Sequence, residues 1–210
     1  MTRFTCNDTP PDWCELRSFA RHAPSLGHTA TVIRSDVRAR LLMTRGRCQV
    51  GTGPQSAVLR AGQYLDLPET LDSLTATATT NDAEFLWLCG TWGDHVAGCG
   101  IWTVMDDPDA TDAGDPVDYP KRTRMDRHYH DYDEYWFVLE GSAVGVVGDT
   151  HHDVTAGDCL ALPAGHPHDL PIVHETMRGA FFETTLRGAG RLGHLWEHTH
   201  GPAPRDPDRV

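Results

Sequence analysis

His128, His130, Glu134 and His168 are the residues of this 210-residue chain whose types and spacing point most directly to chemistry. They stand in His128-Tyr-His130-Asp-Tyr-Asp-Glu134, with Gly141 behind, and in Gly157-Asp-Cys-Leu-Ala-Leu-Pro163-Ala-Gly165-His-Pro-His168. On a strand alternate side chains share a face, so His128 and His130 project together. Glu134 returns to that face after a tight Asp-Tyr-Asp bend, at the start of the apolar run Tyr135 to Leu139. His168 arrives from a later strand, after a turn built on Pro163 and Gly165. Three neutral imidazoles and one carboxylate suit one divalent transition metal, Fe, Mn, Zn, Ni or Co, without choosing among them. Four protein ligands leave one or two positions open, as catalysis or ligand exchange requires and a closed structural site does not. Without a metal, each of these buried groups would need other partners to avoid a cost of roughly 1–3 kcal/mol.

The elements that must position these residues are short and strand-like. They are rich in Val, Leu, Trp, Phe and Thr, and glycine-bearing turns interrupt them. A displacement of 95 residues sets Leu41-Leu-Met-Thr-Arg-Gly46 against Trp136-Phe-Val-Leu-Glu-Gly141. It also sets Ala61-Gly62-Gln-Tyr-Leu65-Asp-Leu67-Pro68 against Ala156-Gly157-Asp-Cys-Leu160-Ala-Leu162-Pro163. The chain therefore reads as two copies of one β unit. The expected organisation is an N-terminal arm at 1–13, a first unit at 14–105, an acidic linker at 106–118, a second unit at 119–200 and a flexible tail at 201–210. Ten of the thirteen histidines lie at or beyond His128, which puts any chemistry in the second unit.

His-x-His, three residues, Glu, six residues, Gly, followed by Gly, five residues, Pro-x-Gly, two residues, His, resembles the paired signature motifs of the cupin superfamily. The resemblance implies an all-β fold of two cupin-type jelly-roll barrels in tandem, with one metal per chain held by His128, His130, Glu134 and His168. Two positions depart from the family pattern, Arg122 for a usual glycine and Ile172 for a frequent asparagine, and neither carries a ligand. In the first copy the corresponding positions are Ile33, Ser35, Ala39 and Ser73, so that half resembles a degenerate cupin kept for architecture.

Arg124, Tyr135 and His174 are the further catalytic candidates. Alternation backwards from His128 brings Asp126, Arg124 and Arg122 toward the barrel mouth, where a guanidinium would clamp a carboxylate or phosphate. His174 lies an even step beyond His168 and would shuttle protons from inside the barrel. Tyr135, Trp136 and Val138 flank Glu134, and the last two would wall the pocket if they share its face. His151, His152 and His166 read as turn or rim residues. A rival motif, His194-Leu-Trp-Glu197-His198, matches inverted zinc peptidases. That chemistry needs a large helical domain, and the chain ends twelve residues later. Ile101-Trp102 and Leu195-Trp196 are better explained as a packing element closing each repeat, with His194, His198 or His200 left to cap the pocket.

The formal net charge of −12, with no basic stripe, argues against nucleic acid and anionic membranes as partners. There is no membrane-length apolar run and no apolar core of a secretory signal near the start, so a cytoplasmic location is expected, with six reduced cysteines. The expected partner is a small-molecule substrate, anionic or polyhydroxylated, and a homodimer is compatible with the sequence. The expected function is Lewis-acid isomerisation, epimerisation or elimination on an oxygen-rich metabolite chelated through adjacent oxygens, with an enediolate-type charge stabilised as it develops. The same donors serve cupin dioxygenases using Fe(II) or Mn(II). A tailoring enzyme of secondary metabolism and a non-catalytic small-molecule-binding cupin complete the alternatives.

Overall fold

The computed structural model describes residues 2–53, 55–110, 114–188, 190–196, 199 and 204–210. The fold is all-β, and its chain divides into two compact units. The N-terminal unit is Glu15–Trp92 with Cys99–Ile101; the C-terminal unit holds the residues up to Cys14, Gly93–Gly98 and the described residues from Trp102 on.

In the N-terminal unit, β2 (Leu16–His22), β4 (Arg38–Arg45), β7 (Tyr64–Asp66) and β9 (Glu84–Gly90) form one sheet in the order β2-β9-β4-β7. β3 (Thr29–Ile33), β5 (Arg47–Thr52), β6 (Gln55–Arg60) and β8 (Ser73–Ala78) form another, ordered β3-β8-β5-β6. All pairings are antiparallel. One apolar core draws on both sheets, with Leu41, Met43, Phe85 and Trp87 from the first and Val32, Val50, Leu74 and Ala76 from the second.

The C-terminal unit repeats that plan. Its larger sheet contains β1 (Arg3–Thr5), β10 (Val96–Val104), β11 (Glu134–Glu140), β14 (Asp158–Leu162) and β16 (Met177–Thr185), in the order β1-β14-β11-β16-β10. The smaller sheet is β13-β12-β15, built from β12 (Ser142–Val147), β13 (Thr150–Thr155) and β15 (His168–Val173). The residues expected to form an N-terminal arm thus supply an edge strand, with Phe4 opposite Cys159. The core again spans both sheets, through Trp136, Val138, Leu160, Leu170 and Val173.

The sequence repeat is visible in the backbone. Gly46 and Gly141 both adopt positive φ, +61° and +82°, at the end of β4 and of β11. A Cβ at Gly141 would come within 2.6 Å of the Thr176 carbonyl oxygen, so only glycine fits that turn. The pairings of β4 with β9 and of β11 with β16 both shift register after the third inward residue, Met43 in one and Val138 in the other.

One bulge breaks the symmetry. Between Val144 and Val146 the pairing of β12 with β15 shifts, so the stretch from Asp169 to Ile172 carries one residue more than its partner. Pro171 lies in that stretch and has no N–H to give the ladder. β5 and β8 pair without a shift. An extra residue reverses which side chains face the core. His168 and Leu170 therefore point inward, whereas Ser73 and its partner Ile33, 68% exposed, point outward. The inward pair of the first unit is Val32 with Leu74. This corrects the sequence alignment by one residue on each strand: Val32 and Leu74, not Ile33 and Ser73, stand where His128 and His168 stand.

Candidate metal centre

His128 and His168 face each other across an isolated antiparallel bridge, and His130 follows on the same face as His128. Glu134 opens β11, and its carboxylate lies between the imidazoles. All four side chains are buried, and their donor atoms lie within 4.8 Å of one another. His130 Nε2 is 2.9 Å from Glu134 Oε2, and His168 Nε2 is 3.5 Å from that oxygen and 3.1 Å from His128 Nε2.

The second nitrogen of each ring fixes its tautomer. Nδ1 of His128, His130 and His168 lies 3.0, 2.8 and 3.0 Å from the carbonyl oxygens of Asp126, Tyr132 and His166. A carbonyl only accepts, so each Nδ1 carries the hydrogen and each Nε2 presents a lone pair. Burial, reinforced by neighbouring imidazoles, pushes His128 down to about 3, and burial also lowers His168. Neutral rings with converging lone pairs beside a carboxylate repel one another unless a cation lies among them. This donor set fits a divalent metal ion.

The bend between His130 and Glu134 is held from outside. Asp131 receives Nε and Nη2 of Arg191, both at 2.8 Å. Asp133 takes Arg209 at 2.8 Å, Arg187 at 3.3 Å and the Ala164 N–H at 2.9 Å. Arg209 belongs to the segment expected to trail as a tail. Its described residues also supply the Asp206 carbonyl to His166 and a guanidinium over the Trp13 ring. Between the two aspartates, Tyr132 stacks on His130 at 3.9 Å and donates to Glu183 at 3.3 Å.

A cavity of about 160 Å³ opens on the cluster, lined by His128, Glu134, Trp136, Phe181, Glu183 and His194 together with Trp102 and Met125. Trp136 donates its indole N–H to Glu134 Oε1 at 2.8 Å, and so forms the wall expected of it. Glu183, directly across the ladder from Glu134, is pushed up to about 7 by burial and then by that neighbouring charge. His194 stacks on His128 at 3.7 Å and bonds Asp126 through Nδ1 at 2.6 Å; that bond raises its pKa.

The other sequence candidates fall elsewhere. Arg124 does not enter the cluster: its side chain is 78% exposed and bonds Asp107 at 2.5 Å, on the wall of a separate outer cavity. His174 lies just past the end of β15, exposed, because the bulge uses up the even spacing that would have kept it inward. Tyr135 is fully buried on the face of β11 opposite Glu134 and Trp136. Trp102 does not close the first repeat; it packs edge-on against Trp136 in the C-terminal unit. Glu197, His198 and His200 lie outside the described residues. Glu183 escaped the sequence reading. Its signal was parity alone: it follows Phe181 by two residues and so shares the inward face of β16.

In the N-terminal unit, Ala39 pairs with Cys89 where Glu134 pairs with Glu183. Val32, Ala39, Leu74 and Cys89 all belong to its apolar core, and among the described residues no cluster of metal donors gathers there.

A cupin domain matches residues 117–181, which include all four donors. The C-terminal unit thus carries a cupin domain. The chain is 44% identical over its whole length to the uncharacterized protein y4oW of Sinorhizobium fredii, covering 97% of that relative. Among solved structures, an IolB-like protein of Salmonella typhimurium superposes with a TM-score of 0.56 over 95% of this chain and 98% of that one, at 17% identity. A single-residue variant of the oxalate decarboxylase of Bacillus subtilis superposes with a TM-score of 0.57 over 90% of this chain and 78% of that one, at 12% identity. At such identities the likeness is one of fold. Among the described residues no helix is long and apolar enough to cross a membrane.

Proposed function

We propose that the chain is a bicupin metalloenzyme with a single reaction centre in its C-terminal unit. It would act as a Lewis-acid isomerase, epimerase or lyase on a small oxygen-rich substrate. His128, His130, Glu134 and His168 would hold one divalent transition metal. When bound, that ion would supply a positive charge for chelating substrate oxygens and for the negative charge that develops as a proton leaves carbon.

The observation that carries this reading is the pair of proton-carrying groups on the same small cavity as the donors: Glu183 from β16 and His194 held by Asp126. Isomerisation needs a proton removed at one atom and returned at another, and epimerisation needs it removed from one face of a carbon and returned to the other, which two such groups beside one bound substrate can do. Trp136 and Phe181 wall the cavity and limit water around that transfer. Tyr132 orients Glu183 by its hydroxyl, and Asp126 orients His194. The vacated N-terminal core, with Val32, Ala39, Leu74 and Cys89, supports a structural role for the other half. The decarboxylase among the structural relatives is compatible with an elimination on a carboxylate-bearing substrate.

The test is exchange of carbon-bound hydrogen. Metal-loaded protein in D₂O, incubated with hydroxy-keto acids and keto sugars, should incorporate deuterium next to a carbonyl without consuming oxygen. Uptake of O₂ that tracks substrate turnover would overturn the isomerase reading in favour of a dioxygenase using the same ligands.

A further inference from the structure

We propose that the substrate of this centre carries an aromatic extension, seated in a second cavity that continues outward from the donor cluster. The proposal rests on the metal-centre reading above and names the substrate class that it leaves open. The outer cavity has a volume of about 460 Å³ and is walled by Trp102, Val104, Met105 and Met125, with Asp107 and Arg124 at its rim. Trp102 and Met125 also line the inner cavity, so the two spaces adjoin at these side chains.

Size makes the outer space relevant. The inner cavity, about 160 Å³, is smaller than the roughly 300–1,000 Å³ typical of small-molecule sites. It holds a chelating head of a few oxygen and carbon atoms, and anything larger must project past Trp102 and Met125. The chemistry of the outer wall then decides what projects. Asp106 is engaged by Arg122 and Asp107 by Arg124, so the acids at the rim are matched by guanidiniums and offer no net charge for a sugar or polyanion to follow. Apart from Thr103 and these ion-paired residues, the wall is one indole, two thioethers and a valine. Met105 is 64% exposed, although a methionine gains nothing from water. Indole and thioether groups pack favourably against aromatic rings. The room for Trp102 comes from Gly179 on β16, where any Cβ would collide with the indole ring.

Hydroxamates chelate divalent metals through two adjacent oxygens and can be varied behind that head. Affinities of Co(II)-loaded full-length protein for acetohydroxamate, phenylacetohydroxamate and gluconohydroxamate can be compared by calorimetry. The phenyl compound should bind at least about tenfold more tightly than acetohydroxamate, as burial of a ring predicts, and the polyhydroxylated compound should show no gain. Met105→Asp, on an exposed position of the outer wall, should cut the phenyl gain to below about threefold while leaving acetohydroxamate unchanged. Equal affinities in the wild type, a gain for gluconohydroxamate instead, or a phenyl gain that survives Met105→Asp would each overturn the aromatic subsite while the metal centre stands. Failure of every hydroxamate to bind, or equal binding to the His168→Ala variant, would overturn the metal centre and this subsite with it.

Discussion

The Nε2 atoms of His128 and His168 meet at 3.1 Å across an isolated antiparallel bridge, while each ring's Nδ1 is committed to a backbone carbonyl. Two lone pairs at that separation repel, and a cation relieves the repulsion. A divalent metal should therefore raise the melting temperature of the protein, and chelation should reverse the rise. At a hundredfold excess over Kd the stabilisation is about 2.7 kcal/mol. His168→Ala should remain folded, retain no metal by elemental analysis and show no metal-dependent shift. Full metal occupancy in that variant would refute the assignment.

The bulge in β15 yields a sharper test, because it separates the presence of His168 from its direction. Deleting Pro171 removes the extra residue and restores the unshifted pairing seen between β5 and β8. The side chains ahead of the deletion then swap faces, and His168 turns away from His128. Metal retention should fall at least about tenfold, since even losing a partner that orients a ligand costs that much, although all four ligand residues remain in the sequence. A deletion variant that binds metal as well as the wild type would show that the bulge does not set the direction of His168.

That bulge also marks where the sequence stops being legible. The ligand set is readable because His128, His130 and Glu134 are local to one another and turn residues fix their spacing. The repeat is readable because Gly46, Gly62, Gly141 and Gly157 all need positive φ, which few other residues tolerate. Facing is not readable across a register shift, so an ungapped alignment sets Ile33 and Ser73 against ligands whose inward places Val32 and Leu74 take. Glu183 is hidden for a related reason. Its position opposite Glu134, 49 residues earlier in the chain, depends on the pairing of β11 with β16. Arg124 precedes His128 at the expected even spacing, but its paired acid, Asp107, holds it at the outer cavity.

Gly98 makes room for Glu183. A Cβ there would lie 2.9 Å from Glu183 Oε2, so Gly98→Ala should displace the carboxylate without touching a ligand. Metal content should be unchanged, while deuterium incorporation into substrate falls about 10²-fold or more, the scale of losing a positioned acid or base. Glu183→Gln should behave alike. Loss of metal in either variant would place Glu183 among the structural supports of the centre instead.

Acid should destabilise the N-terminal unit through His22, which stacks on Phe85 at 5.0 Å. Burial lowers its pKa in the folded state, so the unfolded chain binds the proton more readily. Stability is then at its full value above the ordinary histidine pKa near 6.5 and declines as pH falls below it. Urea midpoints followed from about pH 8 to pH 5 should drop more in the wild type than in His22→Gln. Parallel curves for the two proteins would remove His22 as a cause.

Behind β15 the outward neighbour of His168 is anchored by a buried ion pair. Both oxygens of Asp169 lie 3.0 Å from Lys121 Nζ, Tyr119 donates to Oδ2 at 3.0 Å, and both charged side chains are almost wholly inaccessible. Removing the ammonium alone leaves an uncompensated carboxylate in the interior, so Lys121→Met should cost about 3–5 kcal/mol. The paired change Lys121→Met with Asp169→Leu removes both charges and should recover much of that loss, since an apolar pair of similar volume is often no worse than a buried ion pair. Recovery of stability without recovery of metal affinity would mean that Asp169 holds β15, and with it His168, at the distance the centre needs. Recovery of both would reduce the pair to packing, and a single variant as stable as the wild type would contradict its burial.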